Sequence, residues 1–146
     1  MFRRILVPTD GSAASMTAVD VAVALAHRSR AQLFGLHVKP RRAWLGKLAG
    51  KVVAPEYPDR SHEFLGYVER RAAQAGIAGS THVLHADDPH EAIRAAARDF
   101  GCDLIVMASH GRGPVQSLLL GSQAQQVLAH SAIPVLVVPR PDTYSS

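Results

Sequence analysis

Met107-Ala-Ser-His-Gly-Arg-Gly-Pro-Val-Gln-Ser-Leu-Leu-Leu-Gly-Ser-Gln123 carries most of the information about the fold. The apolar run from Asp103 to Met107 stops at a turn of small residues. The turn holds Ser109, His110, Gly111, Arg112 and Gly113. Nine residues after Gly111 comes Gly121-Ser122, where a helical pattern begins. A strand that ends in a glycine-rich turn, followed by Gly-Ser at a helix start, suits the binding of phosphate. Glycine lets backbone N–H groups approach an anion with no Cβ in the way. The first turn of a helix offers unpaired N–H groups and a partial positive charge. The Ser122 hydroxyl either caps that helix or touches the anion.

Outward from this stretch the chain alternates. Arg4 to Pro8 is short and apolar without alternation, as a parallel strand buried on both faces requires. It ends in Thr9-Asp10-Gly11-Ser12, a turn of helix-capping residues. A helix follows over 13–28, with Ala14, Ala18, Val21, Ala22 and Leu25 as its apolar stripe. The spacing predicts further strands over 31–38, 81–85, 103–108 and 133–138. Helices are predicted over 61–75, from Pro89 to Phe100, and over 122–130. The 39–60 stretch breaks the rhythm with Pro40, Pro55, Pro58, Gly46 and Gly50, and reads as a long connection carrying Trp44.

The order β-α-β-α-β-α-β-α-β predicts an α/β fold. The expected form is a doubly wound, Rossmann-like sheet of five parallel strands in the order 3-2-1-4-5, with helices on both faces. Strands one and four are then neighbours where the winding reverses, and ligands bind at that point beyond the strand ends. The turns after these strands, Pro8 to Ser12 and Ala108 to Gly113, meet in one crevice. Strand five, with Pro134 and Pro139 at its ends, is an exposed apolar edge that invites pairing with a second copy.

Composition bounds the function. The chain has 146 residues, read as one domain over 1–146, with 47% hydrophobic and 19% charged residues. It has a net charge of +4, but the basic residues are scattered apart from the 39–60 loop, and aromatic residues for base stacking are few, which argues against nucleic acid. No apolar run approaches the roughly 18 residues of a membrane span. Ile5-Leu6-Val7, cut short by Pro8, is no signal sequence. The single Cys102 excludes an internal disulfide, and a reducing cytoplasm is the expected setting. His110 could serve as a general base, but the sequence identifies no partner nucleophile for it; a loop histidine held by hydrogen bonds or touching phosphate is the simpler reading. His82 and His85 lack a further Cys or His pair that would complete a metal set.

These residues resemble the universal stress protein family, UspA-like in type. Its nucleotide-binding members carry Gly-x-x-Gly, nine residues, then Gly-Ser/Thr. Gly111 and Gly121-Ser122 match that pattern, and Pro8-Thr-Asp-Gly-Ser12 and Pro134-Val-Leu-Val-Val138 are also similar to the family. The first glycine falls at 108, where this chain has Ala108. A positive φ there would cost alanine of order 1 kcal/mol; a negative one would cost little.

The resemblance implies ATP or another adenine nucleotide as a regulatory ligand, with Mg²⁺ accompanying the phosphates. It implies Asp10 on the ribose or adenine side with Pro8 and Thr9 beside it, and Val38 and Met107 near the base. Gly111, Arg112, Gly121, Ser122 and Gln123 surround the phosphates, Ala108 lies beside the nucleotide, and His110 of the same loop is held by hydrogen bonds or touches a phosphate. It also implies a homodimer through 133–138. Two alternatives stay open: an interaction protein without nucleotide, for which Ala108 is the ground, and a slow ATP hydrolase.

Overall fold

In the computed structural model, residues 1–41, 59–110 and 120–139 are described. Among the described residues nine elements follow one another: β1 (Arg4–Pro8), α1 (Ala13–Ser29), β2 (Gln32–Lys39), α2 (Ser61–Gln74), β3 (Gly79–His85), α3 (Pro89–Asp99), β4 (Leu104–Ala108), α4 (Ser122–His130) and β5 (Val135–Val138). The strands are all parallel, in the order β3-β2-β1-β4-β5. The predicted sheet is therefore the observed one.

Side chains alternate across a strand, so each central strand feeds two cores. Ile5 and Val7 of β1 and Leu104, Val106 and Ala108 of β4 pack on one face with α1 and α2. Leu6, Ile105 and Met107 pack on the other with Ile93, Ala96, Ala97, Ala124 and Val127 of α3 and α4. Both faces are covered, which is why β1 and β4 read as unbroken apolar runs.

Local expectations shift: β3 begins at Gly79 rather than Thr81, so Gly79 opens a strand instead of ending a helix. The centre of the α1 stripe is Ala18, Val19, Ala22, Val23 and Ala26; Val21 and Leu25 lie at its margin, only partly buried. β5 begins at Val135 rather than Ile133. Ser131 folds the chain before it, its hydroxyl donating to the Ile133 carbonyl at 2.7 Å. The Pro134 carbonyl still accepts the Ile105 N–H at 3.0 Å. Of the long 39–60 connection only the ends are described. Lys39 and Asp59 pair there at 2.7 Å, while Trp44 lies outside the described residues.

At the opposite end of the sheet from the crevice, Asp103 ties β4 to β1. Its carboxylate accepts the N–H of Arg3 at 2.9 Å and of Arg4 at 3.1 Å. Burial alone would raise its pKa. The donated N–H groups outweigh burial and hold it below the ordinary carboxylate value. A carboxyl depressed on folding contributes stability above its unfolded pKa and loses it as pH falls through the folded value. Asp103→Asn is thus expected to lower stability by about 1 kcal/mol at pH 7, given its partial exposure. The deficit relative to wild type should shrink below about pH 4. Thermal melts of both proteins at pH 7 and pH 3 check this.

Candidate functional site

The turns after β1 and β4 do meet, at the C-terminal ends of the strands. They enclose a cavity of about 390 Å³, within the range of small-ligand sites. Its floor is the strand ends, with Pro8 from β1, Val38 from β2 and Met107 and Ala108 from β4. Its walls come from Thr9 and Asp10 on one side and from Ser109, His110 and Gly121 to Gln123 on the other, with Pro89 at the start of α3 above them. Ten of the twelve residues expected at the site line this one cavity. Gly111 and Arg112 lie outside the described residues.

The β1 turn is built by its own side chains. Gly11 takes a φ of 79°, open to glycine at little cost. The Asp10 carboxylate accepts the Ser12 N–H at 2.9 Å, and Ser12 in turn caps α1 by accepting the Ser15 N–H at 3.2 Å. The helix cap is therefore Ser12, and Asp10 sets the turn before it. Thr9 is buried and bonded to the Ser15 hydroxyl at 2.9 Å, so its side chain braces the turn from within.

The opposite wall is electropositive by construction. Gly121, not Ser122, is the N-cap of α4, and it provides no side-chain cap. The Gly121 N–H is itself committed to the Ser109 carbonyl at 2.7 Å. A Cβ on Gly121 would lie 3.0 Å from that same carbonyl oxygen, so the glycine permits a close approach rather than an unusual φ. Ser122 is exposed at the first helical position. The N–H groups of Ser122, Gln123 and Ala124 have no backbone acceptor among the described residues. No acidic residue occupies this first turn, so the positive end of the helix is uncompensated. The Gln123 side chain reaches across to α3, accepting the His90 N–H at 2.9 Å.

Next to these amides lies His110, only 7% exposed. Its Nδ1 lies 3.1 Å from the Ser109 hydroxyl. Its Nε2 is buried and has no hydrogen-bond partner among the described residues. An unmatched buried polar atom is costly unless something meets it. Three open amides bordering one cavity form a place for an anion, and Nε2 joins them as a donor in the tautomer whose Nδ1 accepts from the Ser109 hydroxyl. Ala108 answers the φ question: Arg30 is the only non-glycine residue at positive φ among those described. Ala108 keeps ordinary strand backbone and its methyl packs with the core on the α1 face.

The model of the universal stress protein family matches residues 1–139. The chain belongs to that family. The universal stress protein YxiE of Bacillus subtilis is 32% identical over 148 residues, covering 94% of this chain and 99% of that one. The solved structure of MJ0577, a universal stress protein of Methanocaldococcus jannaschii, aligns with a TM-score of 0.81 at 27% identity, covering 98% of this chain and 99% of that one. A universal stress protein solved in complex with cAMP aligns with a TM-score of 0.71 at 26% identity, covering 96% and 98%. Adenine nucleotides are thus bound within the family.

Among the lining residues that the sequence reading did not place at the site, His37 stands out. His37 of β2 lines the cavity, and its Nδ1 lies 2.9 Å from the Thr9 carbonyl. The ring meets Phe64 of α2 edge-on, with centroids 4.9 Å apart. Burial is the main influence on His37 and, with Lys39 nearby, lowers its pKa; the Thr9 carbonyl and the carboxylates of Asp10 and Asp59 oppose this. The lowered pKa favours the neutral ring. The signal available in the sequence was position alone, since His37 precedes Val38 at the ligand end of a parallel strand.

Proposed function

We propose that this universal stress protein binds an adenine nucleotide, ATP first among them, in the cavity between the β1 and β4 turns, as a regulatory ligand in the stress response. The observation that carries the reading is the meeting of the open α4 amides with the buried His110 Nε2. Both suit phosphate oxygens. The main chain of Val38 lies two strands away from β4, about 10 Å across the sheet. That spacing suits a base at β2 and phosphates at α4, with Asp10 beside the ribose between them. The family member solved with cAMP supports the adenylate class. Gly111 and Arg112 are assigned to the phosphates by their place in the motif. Mg²⁺ enters with the nucleotide, held chiefly through the phosphates. Equilibrium dialysis with labelled ATP tests the reading. Saturable binding below millimolar concentration is expected, and none at all would end it.

The strand backbone of Ala108 supports nucleotide binding over an interaction role without it. If its methyl obstructed the ligand, Ala108→Gly would raise affinity. We expect ATP affinity to stay within about twofold of wild type. Stability should fall by about 1–2 kcal/mol, from a lost buried methyl and a freer backbone. Titration calorimetry and thermal melts on the same variant check both.

We further propose one cytoplasmic module over 1–146 that pairs with a second copy along β5. Among the described residues no helix is long and apolar enough to cross a membrane. β5 is an edge strand, Leu136 on it is 39% exposed, and Leu128 of α4 is 42% exposed. Pairing of two such edges would cover both residues. Sedimentation equilibrium at micromolar concentration should give twice the chain mass, and Leu136→Lys should reduce it to a single chain. A monomeric wild type would contradict the pairing.

A further inference from the structure

The hydrogen bonds between the β1 exit and β2 contain a substitution. The Gln32 N–H donates to Arg3 and the Thr9 N–H to the Leu36 carbonyl, while the Leu33 N–H donates to Ala78. Even-numbered residues of β2 therefore point their main-chain groups toward β1, and odd-numbered ones toward β3. The next parallel rung would run from the Val38 N–H to the Thr9 carbonyl. That rung is absent, and the carbonyl is met by Nδ1 of His37 at 2.9 Å. A carbonyl only accepts, so Nδ1 carries the proton. β1 ends at Pro8. The N–H and C=O of Val38 therefore face the space beyond β1, where the cavity lies.

We propose that His37 is a positioning residue for base selection: by occupying the Thr9 carbonyl it keeps the Val38 donor and acceptor out of the ladder and open to the edge of an adenine ring. Adenine offers an acceptor at N1 and a donor at its exocyclic amine, which match an N–H and a C=O on one residue. Hypoxanthine offers N1–H and a carbonyl oxygen, which set donor against donor and acceptor against acceptor. The ring, clasped between Thr9 and the edge of Phe64, holds this arrangement in place. The selection role rests on reading the cavity as an adenine-nucleotide site; the ladder substitution stands on the hydrogen bonds alone.

The test uses the full chain with ATP and ITP as probes, in wild type, His37→Leu and His37→Asn. Wild type should prefer ATP, and its Val38 amide should exchange rapidly with solvent when no ligand is bound. His37→Leu should lose about tenfold of that preference, the worth of roughly one hydrogen bond. Its Val38 amide should become protected as it closes onto Thr9. His37→Asn, whose side-chain amide can donate to the same carbonyl, should keep most of the preference. A folded His37→Leu that retains the wild-type ATP-to-ITP ratio overturns the proposal. So does an Nε2-protonated His37 in the ¹⁵N spectrum of wild type, which requires no variant. A wild type that binds both nucleotides equally overturns base selection and leaves nucleotide binding intact. A wild type that binds neither removes the adenine reading and this proposal with it.

Discussion

Ser122→Asp is expected to raise the melting temperature and to cut ATP affinity by roughly a hundredfold. The two effects share one cause. Ser122 is exposed at the first position of α4, whose opening turn carries no acidic residue. A carboxylate there complements the positive helix end and should stabilise the fold by about 0.3–1 kcal/mol. The same carboxylate stands where the phosphates are proposed to sit. Two unit charges about 5 Å apart, at an effective dielectric constant near 20, repel by about 3 kcal/mol. A hundredfold loss is of that order. Ser122→Ala adds no charge and loses no cap, because Gly121 holds the cap position. It should leave both properties near wild type. Differential scanning fluorimetry with and without ATP separates the two effects. A variant that binds ATP as well as wild type would place the phosphates elsewhere.

Ile105→Ala is expected to cost about 2–5 kcal/mol of stability. Ile105 is fully buried, pairs with Leu6 of β1 and Val135 of β5, and packs beneath α3 and α4. Removing it leaves a void that the strands cannot close, because side chains on both faces of the sheet already hold them in place. For a domain of this size that is a large share of the total. The loss should appear in urea melts as a lower midpoint at an unchanged slope. Its neighbour Leu136 points outward on the edge strand, and Leu136→Ala should change the melt of the monomeric chain by no more than about 0.5 kcal/mol.

The sheet was legible because its determinants are local. Ile5-Leu6-Val7 and Leu104-Ile-Val-Met107 are too short for helices and too continuous for half-exposed strands, which left buried parallel strands as the natural reading. The capping turns and helical stripes between them marked the alternation, and right-handed crossovers narrowed the sheet to doubly wound forms, of which 3-2-1-4-5 was the order taken. Edges were less legible. Ile133 has the apolar character of β5, but the Ser131 turn claims it, and no local pattern distinguished the two.

The site was legible where glycine and small polar residues cluster. It was obscure where role depends on backbone geometry. Whether Ala108 obstructs a ligand turns on φ and on which face its methyl takes. Whether Ser122 caps α4 turns on a shift of one residue, and Gly121 took the cap. The Gly121 N–H, expected for phosphate, is used instead to join α4 to the Ser109 carbonyl. His37 was invisible for a deeper reason. Its role follows from the register of β1 against β2 and from where β1 stops, neither of which its own neighbours in sequence reveal.

The central claim is that base and phosphates lie at opposite ends of one cavity, held by main-chain groups of β2 and α4. Titrating ATP into ¹⁵N-labelled protein tests it most directly. The account predicts saturating amide shifts concentrated at Val38 and at Ser122, Gln123 and Ala124, with the exposed face of α2 unmoved. Saturation with shifts confined to any other surface, or no shifts at all, would contradict it.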